Sequence, residues 1–132
     1  MLPASPGVHI GPLVIWPTVR MAGPTHREPW PYAAKAPIVL PARMKVVLAI
    51  APEAAQLAAL SSHRGGFVQA VRFEACRERE PARVYRGTVG KRTGFPFAFY
   101  LKKPSACVPM DVWVDGMETP IREVVPVGRN DC

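Results

Sequence analysis

Apolar and polar residues alternate with a period of two through most of the C-terminal two-thirds of this chain. Ala106 to Val114 is the clearest case, with Val108, Met110, Val112 and Val114 on one face and Cys107, Pro109, Asp111 and Trp113 on the other. Such alternation is the signature of a half-buried β-strand. Asp115-Gly116 follows as a hairpin signal, and Ile121 to Val127 reads as the return strand with Ile121, Val125 and Val127 on one face. Phe67 to Cys76 places Val71, Phe73 and Ala75 opposite Arg72 and Glu74. In Gly94 to Leu101, Phe95, Phe97 and Phe99 recur at every second position and predict a core stripe, while Pro96 puts that strand at an edge or a bulge. Val84 to Val89 is a weaker strand signal. Ile38 to Leu40 and Lys45 to Ile50 are short apolar segments bounded by Pro37, Pro41 and Pro52. Glu53 to Leu60 fits either a two-turn helix after Pro52 or a further strand leading into the Ser61 to Gly66 turn.

Before residue 37 the pattern dissolves. Prolines at positions 3, 6, 12, 17, 24, 29 and 31 exclude a regular helix, and residues 1–36 read as a proline-rich arm of extended character. Trp16, Trp30 and Tyr32 are suited to pinning that arm against the body of the protein. Residues 37–132 then form the domain proper. Short strands at this spacing predict an all-β fold, a single small immunoglobulin-like antiparallel β-sandwich.

Composition agrees with one globular domain. The chain has 132 residues, 48% hydrophobic and 20% charged, enough to bury a sizeable core. No run of 18 or more apolar residues is present, so no membrane-spanning helix is expected. Val8 to Trp16 is short, is interrupted by Gly11-Pro12 and lacks a basic leader, which makes it a poor signal peptide; an export signal would lie upstream of Met1.

Charge adds a candidate activity. Seventeen basic and ten acidic residues give a net charge of +7, which favours acidic partners. The candidate polyanion-binding residues are Arg86, Lys91, Arg92, Lys102 and Lys103, which flank the 84–89 and 94–101 segments at both ends. Specific nucleic-acid recognition is disfavoured, because the phenylalanines between Arg92 and Lys103 share one face and belong to the core.

Site chemistry is sparse. His9, His26 and His63 are far apart, no Cys-x-x-Cys occurs, and no histidine follows His63 to complete a copper site with Cys107 and Met110. Nucleophile-elbow and phosphate-loop patterns are missing too. No catalytic, cofactor or metal residue is assigned, and a non-enzymatic protein is expected.

Cys76, Cys107 and Cys132 are disulfide candidates. Cys76 shares a face with Arg72 and Glu74, and Cys107 with Asp111, so neither lies on an apolar stripe. The Asp115-Gly116 hairpin brings the start of the 106–114 strand to the tail that carries Cys132. A 67–76 strand antiparallel to 106–114 would bring Cys76 there as well. Cys107–Cys132 is favoured, with Cys76–Cys132 and Cys76–Cys107 open.

Val71 to Cys76, Gly94 to Phe99, Lys103 to Gly116 and Val125 to Cys132 together resemble a group of uncharacterised exported proteins, secreted or lipid-anchored, of high-GC Gram-positive bacteria. The resemblance covers about residues 36–132. It implies an extracellular or cell-envelope location, and a binding or envelope-associated role toward an anionic envelope polymer or a protein partner. An accessory subunit docked through the proline-rich arm is the alternative. An enzyme assembled from scattered residues is a third reading.

Overall fold

The computed structural model describes residues 7–16, 23–77 and 91–132. Those residues form thirteen short strands: β1 (Val8–Ile10), β2 (Leu13–Ile15), β3 (Gly23–Pro24), β4 (Tyr32–Lys35), β5 (Ile38–Pro41), β6 (Lys45–Ile50), β7 (Ala58–Ser61), β8 (Phe67–Val68), β9 (Ala70–Glu74), β10 (Arg92–Phe95), β11 (Ala98–Leu101), β12 (Ala106–Val114) and β13 (Ile121–Val127). The fold is all-β, and every pairing is antiparallel.

The strands make three sheets, ordered β1-β2-β5-β10, β3-β4-β11-β7-β8 and β13-β12-β6-β9. An immunoglobulin-like sandwich has two. The extra division comes from strands that change sheet. The run β4–β5 and the run β10–β11 each bend between the first two sheets, and they bend side by side. Ala98 pairs with Lys35 on one side of the bend, and Phe95 with Ile38 on the other. Between them the Ala36 N–H donates to the Phe97 carbonyl at 3.0 Å. Pro37 and Pro96 occupy the two bends. A proline has no N–H to give to a ladder, so it sits where pairing is interrupted. The 94–101 segment expected as one strand is therefore two.

One core serves all three sheets. Ile10, Leu13, Ile15, Ile38 and Leu40 come from the first, Leu60, Phe99 and Leu101 from the second, and Leu48, Phe73, Val108, Met110, Val112 and Val127 from the third. The aromatic stripe is core as the spacing predicts. Phe73 packs against Phe95 and Phe97 at centroid distances of 5.1 and 5.8 Å, and Phe97 against Phe99 at 5.2 Å.

Residues 7–16 and 23–36 correct the expected arm. They supply β1 to β4, and Ile10, Leu13 and Ile15 are fully buried. The prolines exclude helix but not strands of two to four residues. Pro12 lies in the β1–β2 turn, and Pro29 and Pro31 lie in the β3–β4 connection. Trp30 is buried by this arrangement, whereas Trp16 stays 43% exposed. The helix considered for 53–60 is reduced to one 3-10 turn, Pro52–Ala54, followed by β7. The 84–89 strand signal lies outside the described residues.

The β12–β13 hairpin forms with the register the alternation implies, Val108 facing Val125 and Asp111 facing Arg122. Gly116 takes φ of 86° in its turn, a left-handed conformation that glycine adopts without a Cβ penalty.

Candidate binding face and cleft

Charge is spread unevenly between the sheets. Glu53, Glu74, Asp111, Asp115, Glu118, Glu123 and Asp131 all lie in or beside the strands of the β13-β12-β6-β9 sheet. Lys45, Arg72, Arg122 and Arg129 lie in or beside the same strands, with Arg43 and Arg77 flanking them, so that sheet is nearly balanced, whereas the surroundings of the five-stranded sheet are basic. Arg27, Lys35, Arg64, Lys102 and Lys103 are exposed there, with Glu28 the acidic residue on that side among the described residues.

The outer face of the five-stranded sheet follows from its register. Phe99, Leu101 and Leu60 point inward and are fully buried. Their neighbours Ala98 and Tyr100 on β11, Ala33 and Lys35 on β4, Ala59 and Ser61 on β7, and Phe67 on β8 therefore share the outer side. Phe67 and Tyr100 meet edge to face, with centroids 4.7 Å apart. The Arg27 guanidinium lies over the Phe67 ring at 4.7 Å, and Lys102 Nζ over the Trp30 ring at 5.3 Å. Cations held on aromatic rings keep their charge forward while their stems are packed. The connection that carries Arg27 is ordered by Thr25. Its Oγ1 donates to the Trp30 carbonyl at 2.7 Å and accepts the Arg27 N–H at 3.0 Å.

A cleft of about 450 Å³ opens at the edge of this face, where the paired bends leave the sheet. It is lined by Lys35, Pro37, Ser61, Ser62, His63, Pro96, Phe97 and Ala98. Ser61 Oγ accepts the Ala98 N–H at 3.0 Å, and Ser62 Oγ accepts the Arg64 N–H at 3.2 Å. His63 Nε2 lies 3.0 Å from the Arg72 carbonyl, which can only accept, so that nitrogen donates. The His63 ring also packs edge-on against Phe73 at 5.2 Å.

The basic residues singled out in the sequence are not gathered into one patch. Lys91 and Arg92 stand at the start of β10, in the first sheet. Lys102 and Lys103 follow β11, at the other end of the β10–β11 run. Arg86 lies outside the described residues. Lys102 alone joins the aromatic face, through Trp30. Arg27 and Lys35 were missed because both fall in the segment expected to be an arm. The Tyr32-Ala33-Ala34-Lys35 alternation is too short to mark a strand by itself.

Cys107 and Cys132 are joined by a disulfide, with their Cα atoms 5.8 Å apart. The Cys76 alternatives fail on topology. β6 pairs with both β9 and β12, so β9 runs parallel to β12 rather than antiparallel. Cys76 therefore emerges at the opposite end of the sheet from Cys107. It remains a half-buried free thiol whose N–H donates to Thr93 Oγ1 at 3.0 Å.

A second polar cluster occupies the outer face of the β13-β12-β6-β9 sheet. Asp111 is only 7% exposed although it points outward. Arg122 covers it and also pairs with Glu53 on the 3-10 turn. Hydrogen bonds from Arg122 hold the Asp111 carboxyl below its ordinary value, against burial, which pushes it up; the Arg122 charge adds to the lowering. The same bonds raise Arg122. No buried side-chain nitrogen or oxygen of this cluster lacks a partner, which marks it as structural.

Among the described residues no three His, Cys, Asp or Glu side chains gather as metal ligands, and no helix is long and apolar enough to cross a membrane. No family model matches the chain, and no curated protein or solved structure matches it.

Proposed function

We propose that this protein is a non-enzymatic, exported binding module that holds an acidic envelope polymer across the outer face of its five-stranded sheet. The observation that carries the reading is the uneven balance of charge between the sheets. Most of the described carboxylates belong to the β13-β12-β6-β9 sheet, where basic residues nearly balance them, while the five-stranded sheet presents Arg27 and Lys35 beside Phe67 and Tyr100, with Lys102 over Trp30. A basic face with little like-signed competition raises the local concentration of a polyanion. The Cys107–Cys132 disulfide supports an oxidising compartment, since such bonds persist mainly outside the cytosol. The resemblance to exported envelope proteins agrees with that placement. Docking through a free N-terminal arm is less favoured, because residues 7–16 and 23–36 are built into the sheets.

Heparin serves as the test polymer. The parent protein should be retained on a heparin column and released by rising salt, because exposed charges are screened beyond about 8–10 Å at physiological ionic strength. Arg27→Ala with Lys102→Ala should elute at clearly lower salt. Lys91→Ala with Arg92→Ala, which removes the same charge from another sheet, should elute close to the parent. Equal losses in the two double variants would reduce the effect to net charge and overturn the reading.

A further inference from the structure

The cleft at the paired bends has a chemistry of its own. His63 spends its Nε2–H on the Arg72 carbonyl, and the donors left to the cleft among the described residues are Lys35, Ser61 and Ser62. Lys35 is exposed and makes no ion pair among the described residues. The hydroxyls of Ser61 and Ser62 accept backbone N–H groups, so each retains its own proton for donation. Among the described residues no carboxylate lines the cleft. An ammonium and two hydroxyl donors without an opposing acid suit an oxyanion, since hydrogen bonds to a charged acceptor are the stronger kind. The remaining wall is apolar. Pro37, Pro96 and Phe97 present rings and methylenes of the sort that pack against the C–H face of a sugar. The volume lies within the range of about 300–1,000 Å³ typical of small-ligand sites. The walls are also fixed in place. Ala36 N–H bonds the Phe97 carbonyl, and Phe97 is 6% exposed within the aromatic core.

We propose that this cleft binds one acidic sugar unit, its phosphate or carboxylate on Lys35, Ser61 and Ser62 and its ring on Pro37, Pro96 and Phe97. The inference rests on the acidic-polymer reading, and deepens it by naming the unit and the place where it is gripped. The sheet face would follow the polymer's charge, and the cleft would read its repeat or its end.

Isothermal titration of the full chain with glucose 6-phosphate, glucuronate and glucose tests this. At least one of the two acids should bind saturably, and neutral glucose should not. Binding by the phosphate alone or the carboxylate alone supports the proposal and identifies which acid the polymer carries. Lys35→Ala and Ser62→Ala should each weaken the bound acid about tenfold, the loss expected for one charge-assisted hydrogen bond. Lys35→Arg should restore part of it. Lys35 is exposed, so its variants report on binding without disturbing the core. Glucose binding as tightly as the acids, or no change in Lys35→Ala, would overturn the proposal. If neither acid binds while Arg27→Ala with Lys102→Ala still loses heparin retention, the cleft falls and the sheet face stands. Saturable binding to the cleft with no heparin retention gives the reverse.

Discussion

Arg122 grips Asp111 with a two-pronged contact, Nε to Oδ1 at 2.8 Å and Nη2 to Oδ2 at 3.0 Å, across the β12–β13 ladder. The two residues face each other in register, so the hairpin itself aims the guanidinium. The third partner, Glu53, meets Arg122 from the 3-10 turn, where both side chains are about half exposed. The two halves of the cluster should therefore differ in weight. Removing Arg122 takes from Asp111 both its two-pronged partner and its cover, whereas removing Glu53 frees an arginine that water already solvates. The cost of losing Arg122 is that of a charge-assisted contact at the surface, screened by the water that then reaches Asp111. Chemical denaturation should show Arg122→Ala clearly destabilised and Glu53→Ala within about 0.5 kcal/mol of the parent. Equal effects would mean that Asp111 is not held as described.

The same contact sets a pH dependence. The folded Asp111 carboxyl titrates below its ordinary value of 3.8 because Arg122 favours the ionised form. A group lowered on folding contributes its stability above its unfolded pKa, and loses it as pH falls through the folded one. The parent should therefore be more stable than Asp111→Asn at neutral pH. That difference should shrink as pH falls below about 4. Urea denaturation of both proteins at several acidic pH values measures it. A gap that stays constant to the lowest pH at which the protein is folded would exclude this origin.

Much of the third sheet was legible from the alternation of residues. Val108, Met110 and Val112 on one side of β12, with Asp115-Gly116 after it, defined strand, face and turn without any long-range information. Other features depended on contacts that no local pattern carries. Strands as short as Val8–Ile10 are below the length at which a period of two can be recognised, so prolines dominated the reading of residues 1–36. The parallel relation of β9 to β12 arises because β6 inserts between them, and that insertion excluded Cys76 from the disulfide. Pro96 correctly marked an interruption, but its meaning depended on Pro37, the partner bend far away in sequence. The candidate face was hidden for the same reason. Arg27 and Phe67 are forty residues apart and belong to opposite ends of the sheet order β3-β4-β11-β7-β8, so no local pattern announces their contact.

The disulfide predicts a defined thiol count. Cys107 and Cys132 close a loop with a sequence separation of 25, and Cys76 is free. Non-reducing peptide mapping after oxidative folding should recover a Cys107–Cys132 peptide pair and one alkylated thiol at Cys76. Reduction, or Cys132→Ser, should lower stability by about 3 kcal/mol by the chain-entropy relation for a loop of this length. The loss should be the same in a Cys76→Ser background, since that residue plays no part in the bridge. Recovery of a bridge that includes Cys76 would contradict the parallel placement of β9 and β12.

Gly11 ties the first sheet to the third. It takes φ of 60° in the β1–β2 turn, and a Cβ built there would stand 2.6 Å from Ile121 Cδ1 on β13. Alanine at this position meets two penalties. The left-handed backbone costs about 1–2 kcal/mol for a residue with a side chain, and the Ile121 methyl must move aside. Gly11→Ala should therefore be destabilising, by more than the backbone cost alone. Ile121→Val removes the Cδ1 atom and should be mild by itself, because Ile121 is only partly buried. In the double variant the steric part of the Gly11 penalty should be relieved, giving a favourable coupling of about 0.5 kcal/mol or more in a double-mutant cycle, the range found for residues in contact. Strict additivity of the two substitutions would show that the turn does not rest on β13, and would remove the reason that this position requires glycine beyond its φ angle.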